Sequence, residues 1–277
     1  MRKPTDEAES LLRKQFGAAV SVASAVDTDV EPATDRLNDV APWNGGDFIT
    51  SRYESTCTAG PPGYRQADGR KFIITAGHCW PASRAVYNAR NYPYSQVGSG
   101  RQIGVTAYND VDTALGLDVA IIDTQNYGGS SSLDFRNSTV TAAQQNWGTT
   151  MVNAKVCSSG AYELEVCGAT VTVVGACIPY PKDEHSLPVE HCNMSRAVNY
   201  NTTLLGNGDS GGPVYLVDKA TLKLTIYGIV SAHDRDTQYV CPTLSDPANP
   251  RYCSHIMWFT NIVPILHKYG MALNRSS

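Results

Sequence analysis

The sequence predicts an all-β fold that ends in one helix, and three observations support this prediction. From Trp43 onward, short runs of β-branched and aromatic residues alternate with clusters of Gly, Pro, Asn and Asp, the pattern of strands joined by turns. Only 17% of the residues are charged, below the roughly 25% of average domains, and 23 glycines and 15 prolines supply many turns. No internal repeat is present. We therefore expect a barrel or sandwich of strands rather than a helical bundle.

Five runs fit strands, and one later segment fits a helix. The strand candidates are RKFIITAGH, VAIID, TVTVVGA, LKLTIYGIVS and HIMWFT. For the helix, Thr260 is the expected cap, Pro264 lies in the first turn, and Gly270 ends it.

Residues 1–42 differ from the rest of the chain. Thr5 is suited to cap a helix that ends at Gly17, and the alternating run 20–26 fits a strand. An acidic, Pro-containing stretch follows, which is typical of a linker. A helix and one strand cannot bury a core of their own. We therefore expect residues 43–277 to form the folded domain.

Charge and hydropathy exclude several kinds of partner. The formal net charge of −4 gives no electrostatic reason to expect a nucleic acid or an anionic membrane. No segment approaches the roughly 20 apolar residues that span a bilayer. The chain begins MRKPTDEAESLL, which turns acidic where a secretory signal has its apolar core. Secretion is therefore inferred from the cysteines.

The chain contains 8 cysteines and no CxxC pair, which indicates disulfides formed in an oxidising compartment rather than a zinc ribbon. Eight cysteines allow about a hundred pairings, so chain order is only a guide. Buried free thiols are the alternative interpretation of this count. Pairing of neighbours gives Cys57–Cys79, Cys157–Cys167, Cys177–Cys192 and Cys241–Cys253.

A metal site is conceivable around His185, His191, Cys177 and Cys192. The spacing HSLPVEHC matches no tight metal-ligand pattern, and a disulfide between the two cysteines already accounts for them. We therefore expect no metal ion and no cofactor.

The first candidate for chemistry is His78, in the segment TAGHC directly after the strand FIIT. Small residues permit a tight turn that leaves the imidazole at a strand end, and a disulfide from Cys79 would hold the loop rigid. The alternative is a histidine that ends a strand and hydrogen-bonds a carbonyl.

The second candidate is Asp118, one acid inside the apolar run LDVAII. A buried carboxylate is costly unless it is hydrogen-bonded or paired, and an imidazole N–H is a suitable partner. A carboxylate that caps backbone N–H groups is the alternative. Asp112 and Asp123 are nearby competitors, but each lies at the edge of its run and can reach water.

The third candidate is Ser210, within GNGDSGGP. Glycines on both sides permit backbone torsions closed to other residues and let a substrate approach the chain closely. In that conformation the N–H groups of Gly208 and Ser210 can point at one spot and stabilise an oxyanion. The alternative is a glycine-rich surface turn.

The segments TAGHC, DVAII and GDSGGP, in this order, resemble the His, Asp and Ser segments of the trypsin/chymotrypsin family of serine endopeptidases. The bacterial streptogrisin and α-lytic-type branch is most similar, because NGGDFITS resembles its mature amino terminus and VCSSGAYELEVCG its short disulfide loop. The resemblance covers roughly Trp43 to Tyr269. It implies two six-stranded antiparallel β-barrels with the active site between them.

The resemblance also implies a role for each candidate. Ser210 is then the nucleophile, His78 the general base and later acid, and Asp118 the carboxylate that orients the imidazole. A serine hydroxyl is barely nucleophilic near neutral pH and needs a base, and histidine, which titrates near ~6.5, suits that task. The expected protein is a secreted, monomeric endopeptidase that cleaves polypeptides through an acyl-enzyme.

Relatives are made as zymogens with a pro-region, and AESLLRKQFGAAVSV resembles its last helix and strand. Residues 1–42 are then the tail of a pro-segment that is removed near Trp43 and binds the enzyme as a partner. An ordinary amino-terminal extension is the alternative.

The sequence departs from the family around the specificity pocket. Many relatives carry a cysteine where Gly206 stands, four residues before the serine. Leu204, at the pocket floor, argues against Lys or Arg before the cut and favours a small or apolar residue. By resemblance Ser231, Ala232 and His233 bind the substrate backbone. His233 replaces a glycine and is expected to narrow the pocket mouth.

Asp209 lacks an obvious counter-ion in the sequence. Relatives supply a basic side chain from the short disulfide loop, but the matching position is Ser158. Lys155 or a new amino terminus are the remaining candidates.

Two other functions compete with proteolysis. A catalytically weak homologue that binds peptides or proteins on the same scaffold would show a broken triad, and this triad is intact. A lipase or esterase would show GxSxG on an α/β pattern in the order Ser, Asp, His. The order here is His, Asp, Ser on a β-rich chain, which excludes that class.

Overall fold

The computed structural model describes residues 36–37, 39–51, 56–88, 100–113, 116–125, 128–135, 140–180, 189–242 and 250–275. The chain divides into two compact units, residues 1–33 and 34–277, and every described residue belongs to the second. The helix and strand predicted within residues 5–26 lie outside the described residues. Over the described ranges, the predicted all-β fold with one C-terminal helix is confirmed.

The strands are mostly short, because turns interrupt the apolar runs every few residues. In chain order the elements are β1 (Trp43–Gly45), β2 (Phe48–Ser51), β3 (Thr56–Thr58), β4 (Pro62–Arg65), β5 (Lys71–Thr75), β6 (Ala85–Asn88), β7 (Gln102–Asn109), β8 (Ala120–Asp123), β9 (Gly129–Phe135), β10 (Val140–Trp147), β11 (Lys155–Gly160), β12 (Leu164–Tyr180), β13 (Val189–Val198), β14 (Leu205–Gly206), β15 (Pro213–Val217), β16 (Leu224–His233), β17 (Tyr239–Val240), β18 (Tyr252–Ser254), β19 (Ile256–Asn261), α1 (Ile262–Tyr269) and β20 (Met271–Leu273). All five strand candidates of the sequence fall on strands of this list.

The first barrel is an eight-stranded sheet in the order β20-β4-β5-β8-β7-β6-β2-β3. β3 and β4 lie near opposite ends of this order, yet only residues 59–61 separate them in the chain, so the sheet must curl until its ends meet. At this junction the Gly60 N–H donates to the Ile74 carbonyl at 2.8 Å. β3 and β4 thus act as one bent strand, which leaves six antiparallel strands with β20 added beside them.

The second barrel closes through a complete ring of antiparallel pairs. β16 pairs with β15, β15 with β11, β11 with β12, β12 with β13, β13 with β19, and β19 again with β16. These six strands complete the predicted pair of six-stranded barrels. β1, β9 and β10 extend this sheet and include two parallel pairs, whereas β14, β18 and β17 form a small separate sheet.

A shared apolar cluster joins the two barrels. The helix α1 contributes Ile262, Ile265 and Leu266 to this cluster, which also contains Ile74 of β5 and Ile229 of β16. Burial of each such side chain stabilises the fold by roughly 1.5–3 kcal/mol relative to exposure. The end of the chain therefore holds together the two strands that lead to the candidate site.

The start of α1 differs from the prediction by one residue. Thr260 was expected to cap the helix, but it belongs to β19, and its hydroxyl donates to the Asp118 carbonyl at 3.2 Å. Asn261 takes the cap position, and Gly270 ends the helix with φ 59° as predicted. In the described part of the chain, no helix is long and apolar enough to cross a bilayer.

All eight cysteines lie within the described residues, and each forms a disulfide. Three bonds lie on or beside pairs of neighbouring strands, and the fourth ties β3 to the turn after β5. The bonds are Cys57–Cys79, Cys157–Cys167, Cys177–Cys192 and Cys241–Cys253, the pairs that neighbouring order suggests.

Candidate active site

Three side chains from distant parts of the chain meet in one hydrogen-bonded row. The His78 Nδ1 atom lies 2.8 Å from Asp118 Oδ2, and its Nε2 atom lies 2.8 Å from Ser210 Oγ. The His78 backbone N–H also donates to Asp118 Oδ1 at 2.9 Å. The imidazole therefore bridges a carboxylate and a hydroxyl.

His78 is held by the turn that follows β5. Residues Gly77–Cys79 form one 3-10 turn, and the last of them is disulfide-bonded to Cys57 of β3. A Cβ atom at position 77 would lie 2.9 Å from the Val119 backbone nitrogen, so only glycine lets the turn pack against the segment before β8. This close packing brings the imidazole to the acid.

Asp118 is fully buried, and its carboxylate accepts several hydrogen bonds. Besides the two contacts with His78, the Ser231 hydroxyl donates to Oδ2. Burial raises the pKa of Asp118, but the charge of His78 and the hydrogen bonds from His78 and Ser231 outweigh it and lower the pKa to about 2. The carboxylate is therefore ionised throughout the neutral range.

The two competing acids occupy other surroundings. Asp123 forms an ion pair with Arg70 and accepts the Gln125 N–H at 2.8 Å. Asp112 is exposed in the loop after β7. Asp118 is thus the acid of this region that meets the imidazole.

His78 combines a strong hydrogen-bond partner with access to solvent, because 25% of its side chain is exposed. Burial lowers the pKa of His78, whereas the charge of Asp118 and its hydrogen bond raise the pKa, and the net direction is upward. A raised pKa makes the imidazole a better proton acceptor near neutral pH, as a general base requires.

Ser210 is held where the two barrels meet. The Thr58 N–H of β3 donates to the Ser210 carbonyl at 2.7 Å, and the Gly211 N–H donates to the Val230 carbonyl of β16 at 2.7 Å. Gly211 has φ +89°, and a Cβ atom there would lie 2.1 Å from the Thr75 hydroxyl, which only glycine avoids. The position of the serine therefore depends on both barrels at once.

The predicted oxyanion hole, the N–H groups of Gly208 and Ser210, lies in the same loop. Gly208 has φ +98°, and its carbonyl accepts a hydrogen bond from the Thr58 hydroxyl at 2.8 Å. Among the described residues, neither of the two N–H groups donates to a protein acceptor.

Asp209 pairs with Arg251 rather than with Lys155, one of the two candidates that the sequence suggested. Arg251 Nη2 lies 2.7 Å from Asp209 Oδ2. Lys155 instead donates to the Thr170 hydroxyl at 2.5 Å, and Ser158 is a buried neutral side chain. Arg251 reaches Asp209 through the tertiary structure: β18 pairs with β14, and this pairing brings Arg251 beside the loop that precedes Ser210.

The residues expected to bind substrate fall into two groups. Ser231, Ala232 and His233 end β16 and run antiparallel to β19, with His233 half-buried. The Ser231 hydroxyl is committed to Asp118, a role that the sequence did not reveal. Leu204 is only 2% exposed and packs in the core of the second barrel, and it carries no charge for a Lys or Arg side chain.

The possible metal ligands are engaged differently. Cys177 and Cys192 form a disulfide, so neither offers a thiolate. His191 is buried beside Gly116, and His185 lies outside the described residues. The absence of a metal cofactor stays a prediction.

Comparisons with known proteins identify the family and the fold of this chain. Residues 41–252 match the family model described as Trypsin. Comparison with curated proteins returns no significant match. Among solved structures, Nocardiopsis protease (NAPase) is similar at 20% identity, with 84% of this chain and 98% of that chain covered and a TM-score of 0.57.

Two further structures are similar over the same share of the chain. Cellulomonas bogoriensis chymotrypsin is 19% identical, with 84% of this chain and 98% of that chain covered and a TM-score of 0.55. Alpha-lytic protease homologue N4 is 16% identical, with 84% and 99% covered and a TM-score of 0.57. These structures establish a shared chymotrypsin-like fold, and the family model spans most of the chain. The chain therefore belongs to the trypsin family and is a serine-type peptidase.

Proposed function

We propose that the protein is a secreted serine endopeptidase that hydrolyses peptide bonds through an acyl-enzyme at Ser210. The observation that carries the proposal is the unbroken row from Asp118 through His78 to Ser210, with both links at 2.8 Å. In this geometry His78 can take the hydroxyl proton while the oxygen attacks a carbonyl carbon. Membership of the trypsin family supports polypeptides as the substrate class.

Each later step uses a group at the site. Attack forms a tetrahedral oxyanion, which the N–H groups of Gly208 and Ser210 stabilise. His78 then gives its proton to the leaving amine, the C–N bond breaks, and the acyl group stays on the serine. Water, deprotonated by His78, attacks this ester. As the second oxyanion collapses, the ester C–O bond breaks, His78 returns the proton to the Ser210 oxygen, and the acid leaves.

Secretion is supported by four disulfides, which are typical of proteins that fold in oxidising compartments. The enzyme itself comprises residues 43–277 and acts as a monomer, preceded by a pro-segment tail in residues 1–42. Contacts of Arg36 support binding of the short segment that directly precedes the proposed cut. The Arg36 side chain is only 2% exposed and donates to the Gly160 carbonyl at 3.0 Å.

We propose that the enzyme prefers a small or apolar substrate residue directly before the peptide bond that it cleaves. By resemblance Leu204 occupies the pocket floor and His233 the pocket mouth, where relatives have glycine, and the uncharged Leu204 offers no partner to Lys or Arg. The rival function of a catalytically weak, peptide-binding homologue would be indicated by a missing member of the triad. Asp118, His78 and Ser210 are all present and in contact, so no observation favours that function.

The test is labelling with a fluorophosphonate, which reacts with an activated serine. We expect labelling of the wild-type chain and none of Ser210→Ala, with a loss of roughly 10⁴–10⁶-fold in kcat toward short peptides. Ser158→Ala is the matched control, because this buried serine lies in the same barrel outside the row. Persistent labelling of Ser210→Ala would refute the assignment of the nucleophile.

A further inference from the structure

We infer that Arg251 is a positioning residue for the oxyanion loop, defined as residues 206–210, and that its pairing with Asp209 orders this loop without the α-amino group of a newly cut chain end. The inference rests on the proposed function, because the loop acts on a reaction only if Ser210 attacks a carbonyl.

The Arg251 guanidinium is directed at this loop and its supports. Its side chain is 7% exposed, and Nη2 donates to Asp209 Oδ2 at 2.7 Å while Nε donates to the Asn207 carbonyl at 2.7 Å. The remaining arm, Nη1, donates to Glu163 Oε1 at 2.6 Å. Arginine alone offers such a planar fork of donors, so lysine could make only part of these contacts.

Each carboxylate oxygen of Asp209 already accepts two hydrogen bonds. Its Oδ1 atom accepts the backbone N–H groups of Tyr162 and Glu163 at 2.8 and 3.1 Å. Its Oδ2 atom accepts the Gly206 N–H at 2.8 Å in addition to Arg251. Asp209 is only 1% exposed, so an incoming ammonium group would have to displace one of these four donors.

The same guanidinium explains the glycine that stands where relatives have a cysteine. A Cβ atom on Gly206 would lie 2.7 Å from Arg251 Nη2 and 2.7 Å from Cys253 Sγ. The space of the missing cysteine is therefore taken by Arg251 and by the Cys241–Cys253 disulfide. This chain secures the loop from β18 instead of through a cysteine of its own.

The charge of Arg251 also controls the ionisation of Asp209. Burial raises the pKa of Asp209, Arg251 opposes that rise, and the nearby Glu163 adds to it. Without the guanidinium, two carboxyl groups would share a buried site, and Asp209 would bind a proton at higher pH. A protonated Asp209 loses acceptor strength toward the N–H groups that shape the loop.

The experiment compares Arg251→Met and Arg251→Lys with Arg65→Met, an ion-paired arginine of the first barrel, as control. We expect Arg251→Met to lower kcat by about 10- to 1000-fold with little change in KM, the loss typical of a misplaced oxyanion donor. The acidic limb of kcat/KM should move to higher pH in this variant. Arg251→Lys should recover part of both effects.

Two further comparisons separate positioning from simple loss of stability. In an Asp209→Asn background, Arg251→Met should cost little more, because the paired charge is already gone. Circular dichroism gives the folded fraction of each variant, and kcat is divided by that fraction. If Arg251→Met then keeps the wild-type kcat and the wild-type acidic limb of kcat/KM, the inference is overturned. Absence of fluorophosphonate labelling in the wild-type chain would instead overturn the proposed function, and the inference with it.

The role of the chain end is tested by carbamylation with cyanate near neutral pH, with the site protected by a reversible inhibitor. The reagent prefers α-amines, which titrate near ~7.7–8.0, over lysines, which titrate near ~10.4. We expect the active enzyme to keep its kcat after its α-amine is blocked. A loss in proportion to α-amine modification would overturn the claim that Arg251 suffices.

Discussion

Asp118 and Asp209 are both buried carboxylates close to the same serine, yet the fold treats them in opposite ways. Asp118 meets the imidazole of His78 and has its pKa lowered to about 2, whereas burial raises the pKa of Asp209 in spite of Arg251. An imidazole can gain and lose a proton near neutral pH, while a guanidinium stays charged. The two buried acids therefore differ in their partners: Asp118 meets a group that titrates near neutral pH, and Asp209 meets a group that stays charged.

The largest expected effect in this comparison belongs to Asp118→Asn. The amide keeps the shape but removes the charge that favours the imidazolium, so kcat should fall by about 10⁴-fold, as is typical of this change in Ser-His-Asp enzymes. Steady-state kinetics on a short peptide measure it. Asp123→Asn, at the far end of β8 and paired with Arg70, is the control and should retain activity. Equal losses in the two variants would mean that Asp118 acts only on folding.

An intermediate effect is expected from Gly206→Ala. This change disturbs the surroundings of Asp209 without removing a charged side chain. The added Cβ atom would lie 2.7 Å from Arg251 Nη2 and from Cys253 Sγ, so the guanidinium must move away from Asp209. We expect a loss of about 1–3 kcal/mol in unfolding free energy and of about 10- to 100-fold in kcat.

Thermal unfolding and kinetics on the same preparation check this result. Gly148→Ala is the matched control, since its nearest neighbour, the Tyr227 ring, lies 3.8 Å from the new atom, an ordinary contact. A Gly206→Ala enzyme with unchanged kcat would show that the guanidinium is free to shift without consequence.

The smallest expected effect concerns the pH profile. The proposed mechanism needs neutral His78, and the pKa of His78 is raised, so kcat/KM should fall as the pH drops through a midpoint above the ~6.5 of a free imidazole. In Asp118→Asn burial acts without the opposing charge, and the midpoint should move below that of the wild type. A wild-type midpoint well below ~6.5 would contradict the influence assigned to Asp118.

Much of this protein was predictable from the sequence because the relevant patterns are local. Alternating apolar runs and turn residues predict strands such as β5 and β16, and glycines around Ser210 mark a tight loop without further context. Asp118 stood out because one acid in an apolar run needs a partner. Disulfides that close short loops, such as Cys157–Cys167, follow chain order for the same reason.

Other features were decided only by tertiary structure, because their partners are far apart in the chain. Arg251 lies 42 residues after Asp209 and reaches it only through the pairing of β14 with β18. The Ser231 hydroxyl meets Asp118 from 113 residues away, a contact that the sequence did not predict. Sequence patterns report what a segment prefers by itself, whereas a buried charge takes whichever donor the assembled barrels bring within reach.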